Sequence, residues 1–193
     1  MLSLRTATAH SRPTARGHLL RGERTRGAAA VEAALVLPVV IALFVGIVEF
    51  GLIFKDALAI SSAVRAGGRM ASAEPLKRAF ATDAATQVGL SMAAVNTTGA
   101  ATLYVYDPDL FPEPLKSCNG SSSGCLTFSW SAAAGKFGIP SGAWDKCNSL
   151  STKVALLLSV QHKGMTSVPY ASPTLTEKAV FAFEPTSTTA LCQ

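Results

Sequence analysis

From Ala33 to Phe54 the chain carries 22 residues interrupted by a single charge, Glu49. As a helix such a run reaches about 33 Å at 1.5 Å per residue, against a hydrocarbon core of roughly 30 Å. An ordinary secretory signal has an apolar core of about 7–15 residues followed by a small-residue cleavage site. This run is longer, so it is expected to span a membrane and be retained. That expectation fixes the layout of everything on either side of it.

Charge is distributed accordingly. Arg5, Arg12, Arg16, Arg21, Arg24 and Arg26 precede Ala28, with Glu23 as the one acid among them. From Ala28 onward, eleven Lys and Arg meet eleven Asp and Glu, so the net charge of +5 belongs to the leader. No body-wide basic surface is left to bind nucleic acid. By the positive-inside rule, arginines ahead of the first apolar segment hold the N-terminus in the cytoplasm and send the rest outward. The far flank, with Lys55, Asp56, Arg65 and Arg69, is weaker in net charge. A mitochondrial transit peptide would share the acid-poor leader but would not explain the span behind it.

Glu32 stands at the entrance to the span, five positions after Gly27. A carboxylate at the edge of a membrane segment is costly and calls for a partner or a function. A small residue closing a basic leader, with an acid five places on, suggests a prepilin-type processing site.

Along the chain, residues 1–26 have no apolar period and read as a disordered leader. One long helix is expected from Ala28 to about Ala73, kinked at Pro38 by the missing backbone hydrogen bond and loosened or ended near Gly67. Past the span, Ala57, Ile60, Ala63, Val64 and Ala71 form an apolar stripe. Glu74-Pro75 breaks the helix, and a second is expected from Pro75 to about Val95, with Leu76, Phe80, Ala84, Val88, Met92 and Val95 on its inner face. Strands follow at Thr102–Tyr106, Leu126–Trp130, Lys153–Gln161 and Glu177–Phe183, the last extended by Thr174-Leu175. Val154–Val160 is too continuously apolar for an edge. The fold class is α+β: a long N-terminal transmembrane helix (span about 33–54) continuing into an extracytoplasmic head with a second helix and a small antiparallel sheet. The divisions are 1–27, 28–73 and 74–193.

Arg26-Gly27-Ala28-Ala29-Ala30-Val31-Glu32, then Ala34-Leu35-Val36-Leu37-Pro38 and Gly46-Ile47-Val48-Glu49-Phe50-Gly51, resemble the TadE-like family of pilus-assembly proteins, minor-pilin-like components of Flp-type (tight-adherence) systems. Ala63-Val64-Arg65-Ala66-Gly67-Gly68-Arg69 is similar to the stretch after that family's membrane helix, and Phe183-Glu184-Pro185 to its usual ending. The resemblance implies cleavage by a prepilin peptidase between Gly27 and Ala28. It implies that Glu32, about 6 Å up the helix axis, faces the new α-ammonium of a neighbouring subunit. Its partners would be the membrane, the peptidase, other pilins and pilus-assembly membrane proteins, with no cofactor. Ala33 follows the acid where Flp-type pilins often carry an aromatic residue, which argues against the major pilin.

Glu49 lies about 100° around an ideal helix from Glu32, so the two acids do not share a stripe. Headgroup placement, pairing with Lys55, and a partner subunit are all open to it. Cys118, Cys125, Cys147 and Cys192 all fall in the exported part, where an even count favours two disulfides. Three pairings exist. The compact turn-rich loop favours Cys118 with Cys125, leaving Cys147 with Cys192, and the lack of any Cys-x-x-Cys pair disfavours zinc.

Enzyme chemistry finds little support. His162 is the one histidine of the exported body, expected at a surface or turn, and no zincin, nucleophile-elbow or phosphate-loop motif occurs. Asp107 and Asp109 flank Pro108 in an expected turn with weak calcium potential. Trp130 and Trp144 are expected to pack the head. Asn96 and Asn119 match a glycosylation pattern that arises often by chance. The competing readings are an unprocessed signal-anchored binding or sensor protein, a membrane-anchored exported enzyme, and a general-secretion pseudopilin.

Overall fold

A computed structural model describes residues 20–118, 123–144, 151–165 and 172–185. Helix α1 (Leu20–Ala73) opens the chain and α2 (Phe80–Met92) follows. Then come β1 (Thr97–Tyr106), a short α3 (Pro114–Ser117), β2 (Cys125–Ser131), β3 (Lys136–Phe137), β4 (Ser141–Ala143), β5 (Lys153–His162) and β6 (Thr174–Ala182). The chain divides into two compact units, Met1–Ile47 and Val48–Gln193. Within the second, the strands form one antiparallel sheet in the order β3-β2-β1-β5-β6, with β4 also pairing β2.

Alternation along the strands builds the core. Leu103 faces Leu158 and Val105 faces Leu156 across the β1–β5 ladder, all fully buried. They pack with Ile60, Ala63, Val64 and Ala71 of α1 and with Phe80, Ala84, Val88 and Met92 of α2. The opposite face of β5 contributes Ala155 and Leu157 to a second cluster with Tyr106, Phe111, Cys118 and Cys125. Apolar layers on both faces explain why β5 reads as an unbroken apolar run, and its place between β1 and β6 agrees with the sequence expectation. Trp144 stands edge-on to Phe80, with ring centres 5.3 Å apart, and Trp130 edge-on to Phe137 at 5.2 Å. Both tryptophans therefore pack the head.

Four features of these elements differ from the sequence expectation, although α1 ends at Ala73 as expected. First, α1 begins at Leu20, so the end of the supposedly disordered leader is helical. Second, α1 runs through Gly67-Gly68 to Ala73, because close packing there offsets the glycines' poor helix propensity of about 1 kcal/mol each. A Cβ on Gly67 would fall on Val88 Cγ2 and stand 3.0 Å from the Ala84 carbonyl oxygen, and one on Gly68 would enter the Phe181 ring. Third, α2 starts at Phe80 rather than Pro75. Residues 74–79 are held as turns: Lys77 N–H donates to Glu74 C=O at 3.2 Å, and the Lys77 ammonium bridges Asp83 (2.6 Å) and Glu74 (3.2 Å). The inner face of α2 is as expected except at its ends: Leu76 lies ahead of the helix and is half-buried, and Val95 lies beyond its last residue, Met92, though it is still buried. Fourth, β1 extends back to Thr97 through a bulge at which Gly99 adopts φ +97°.

Strands β3 and β4 were not expected. They share the outer edge of β2, β4 pairing Cys125–Thr127 and β3 pairing Trp130–Ser131. Between them lies Pro140, which has no N–H to give a ladder, so the edge breaks in two. Pro38 lies inside α1.

Two predictions arise from this packing. Gly67→Val forces a branched side chain against Val88 and a backbone carbonyl, and overpacking of this kind costs about 1–3 kcal/mol. Chemical denaturation of the detergent-solubilised protein should show that loss; an unchanged midpoint would mean α1 and α2 are not in contact there. The second concerns Tyr106, whose side chain is fully buried and whose hydroxyl has no hydrogen-bond partner among the described residues. Burial disfavours the phenolate and pushes its pKa from 10.0 up to about 12. Because the folded value is raised, this contribution is complete below pH 10 and is lost between pH 10 and 12, amounting to roughly 2–3 kcal/mol. Melting temperatures measured from pH 9 to 12 should fall more steeply in the native chain than in Tyr106→Phe.

Candidate functional site

The first region of interest lies on α1. Gly27, Ala28 and Glu32 are all exposed positions of the helix, and the space where Gly27 would carry a Cβ is empty to 4 Å. Apolar side chains project on every side beyond them: Val31, Leu35, Leu37, Ile41, Phe44 and Ile47 are all exposed. A helix whose apolar side chains are exposed all round suits lipid or other helices. Among the described residues one helix, Gly27–Ala73, is long and apolar enough to cross a membrane, as a single-pass protein requires.

The second region fastens α1 to the head through buried polar groups. Asp56 is wholly inaccessible to solvent, as is His162 at the end of β5. Asp56 Oδ2 lies 2.7 Å from His162 Nδ1 and accepts the Asn96 N–H at 3.1 Å. Its other oxygen is 3.0 Å from the Lys55 ammonium, which also donates to the Ala94 carbonyl at 2.8 Å. Asn96 joins β5 in turn, exchanging hydrogen bonds with the Lys163 backbone through its side-chain amide (2.6 Å) and its carbonyl (2.9 Å). Three elements thus meet on one carboxylate: α1, the α2–β1 junction and the end of β5.

His162 corrects the sequence expectation of a surface or turn residue. A buried imidazole is held here because a carboxylate and its hydrogen bonds replace the water both groups gave up. The placement of Lys55 likewise removes it as a partner for Glu49. Glu49 instead accepts the Met165 N–H on both carboxylate oxygens, each at 3.2 Å.

Other sequence candidates resolve as structural groups. Asp107 Oδ1 accepts the Asp109 N–H at 2.9 Å, and the Asp109 carboxylate pairs with Lys153 at 3.1 Å. Cys118 and Cys125 form a disulfide with Cα atoms 5.9 Å apart, tying the end of α3 to the start of β2. Cys147, Cys192 and Asn119 lie outside the described residues. A groove of about 270 Å³ between α2 and β3 is lined by Thr86, Gly89, Leu90, Phe128, Lys136 and Phe137, and offers a lone titratable group. Among the described residues no three His, Cys, Asp or Glu side chains converge as a metal ion would require.

Comparison with known proteins adds one match. Residues 27–69 fit the family model described as TadE-like protein. This stretch is similar to TadE-like proteins. The TadE-like segment begins at Gly27 and ends at Arg69, so it takes in Glu32, Pro38, Glu49, Asp56, Gly67 and Gly68 but not the sheet or His162. A TadE-like domain supports a role related to the Tad pilus. Neither a curated protein nor a solved structure matches the chain.

Proposed function

We propose that this protein is a minor pilin or pseudopilin-like component of a Flp-type pilus system, cleaved by a prepilin peptidase between Gly27 and Ala28 and acting in pilus biogenesis and surface adhesion. The N-terminus lies in the cytoplasm and the head outside. The observation that carries the reading is the Gly27-to-Glu32 spacing at the start of the TadE-like segment, on an exposed helix that goes straight on into a membrane-length apolar surface.

The mechanism is physical. Cleavage removes the arginine-rich leader that holds the helix start in the cytoplasm and creates an α-ammonium at Ala28. Glu32 sits one helical turn along, about 6 Å by the axial rise. An unpaired acid costs about 2.5–3.5 kcal/mol at the middle of a membrane helix and less at its edge, where Glu32 stands, so the carboxylate gains a part of that by meeting a neighbour's ammonium as helices bundle. Side-by-side helix contact then replaces lipid around Val31, Leu35 and the apolar side chains beyond. Glu49 is a second candidate assembly carboxylate within the same segment, and Pro38 would set the bend of the helix in the bundle.

Glu32→Gln separates assembly from processing. The variant should still be cut at Ala28, while its share in sheared surface filaments falls by about tenfold, corresponding to about 1.4 kcal/mol of lost pairing. Undiminished incorporation would show that the carboxylate has no part in assembly.

A further inference from the structure

We infer that the base of the head, formed by the Lys163–Met165 turn alongside Glu49–Phe54 of α1, is seated in the interfacial layer of the outer leaflet, with Met165 in contact with lipid. This rests on α1 crossing a bilayer. The argument is one of overlap along the helix axis. The apolar run extends to Phe54, yet the head reaches back to Glu49, whose two carboxylate oxygens both accept the Met165 N–H. Glu49 lies five residues before Phe54, about 7.5 Å nearer the membrane by the helical rise. A loop bonded at that level cannot stand clear of the bilayer while the run beside it is immersed.

The side chains at that level suit immersion. Met165 is 69% exposed, and on α1 Phe50 and Phe54, one helical turn apart, are 75% and 66% exposed. Lifting the helix outward to keep Met165 clear of lipid would leave both phenylalanines in water as well. The polar groups beside them are already provided for. Glu49 is held by the Met165 amide, and Asp56 is enclosed by His162, Lys55 and the Asn96 amide. Lys163 is exposed two residues before Met165, where its ammonium can reach headgroup phosphates while its stem lies along the apolar layer. Phe50, Phe54 and Met165 are therefore exposed apolar side chains beside the Glu49–Met165 bond, and lipid is the occupant that covers the run to which Phe50 and Phe54 belong.

Tryptophan quenching by acyl-brominated lipid tests this in the full-length protein, reconstituted into phosphatidylethanolamine–phosphatidylglycerol vesicles. Three variants are compared with the parent, whose Trp130 and Trp144 supply the baseline. The emission added by Met165→Trp should drop by about twofold or more in brominated vesicles, as expected for an indole at the headgroup–acyl boundary. Phe44→Trp reports the span itself, and Val180→Trp, on the far strand β6, should remain unquenched. Quenching at 44 without quenching at 165 overturns the inference and leaves the membrane span standing. No quenching at 44 overturns the span and the inference together. An emission shift at 165 that needs a second copy of the chain, with no effect of bromine, would assign the surface to protein contact and also overturn it.

Discussion

Asp56→Ala should remove a large part of the stability of the head. Asp56 and His162 are both shut away from solvent, and the same carboxylate receives the Asn96 amide and the Lys55 ammonium. Deleting it leaves a buried imidazole facing a hole and a lysine without its ion-pair partner. Breaking a buried pair from one side costs about 3–5 kcal/mol, because the surviving partner keeps its desolvation penalty. Domains of this size are stable by about 5–15 kcal/mol in total, so the change approaches unfolding. Thermal melts followed by the fluorescence of Trp130 and Trp144 should show a fall of roughly 10–20 °C. Asp56→Asn keeps an acceptor for the imidazole and the Asn96 amide and should lose less. Replacing both partners by apolar residues, Asp56→Leu with His162→Phe, should recover a substantial part of the loss, since no polar group is then stranded. An Asp56→Ala protein melting within 2 °C of the parent would show that the pair does not join α1 to β5.

Gly27→Leu should have the largest effect on processing. A Cβ at Gly27 meets nothing within 4 Å, and the residue lies on an exposed helical stretch far in sequence from the head core. The substitution therefore leaves the fold alone and acts on recognition by the peptidase. Nearly all chains recovered from membranes should retain the leader, and none should reach sheared filaments, because an uncleaved helix start keeps its arginines bound to the cytoplasmic face. Head stability should match that of the parent, which distinguishes a processing defect from misfolding. Normal cleavage in Gly27→Leu would place the processing site elsewhere or remove it.

Much of the fold was legible because its signals are local. The span is visible as length and hydropathy, the end of α1 as Glu74-Pro75, and the inner face of α2 as Phe80, Ala84, Val88 and Met92 at helical spacing. β5 was legible as a central strand because burial on both faces leaves no polar alternation. What could not be read depends on pairings distant in the chain. Gly67 and Gly68 look like helix breakers until Val88 and Phe181 are placed against them. β3 and β4 are too short for any period, and exist only because β2 offers them an edge. The Asp56–His162 pair spans 106 positions, and neither residue announces it alone. A signal was nonetheless present. Asp56 falls on the stripe of Ile60, Ala63, Val64 and Ala71, and a carboxylate on a buried stripe requires a partner. His162, the one imidazole beyond the span, was the natural candidate.

The candidate processing site was legible for the opposite reason: its chemistry is written in a short, contiguous stretch, Gly27 through Glu32, and needs no tertiary contact to be recognised. The polar fastening of α1 to the head was not legible, because Glu49 is engaged by the Met165 amide and Asp56 by His162 and the Asn96 amide, all distant in the chain.

Determining the N-terminus of the protein extracted from its native membrane bears most directly on the whole account. Intact-mass measurement should find a chain that starts at Ala28 and has lost everything through Gly27. A full-length chain from cells with an active prepilin peptidase would contradict it.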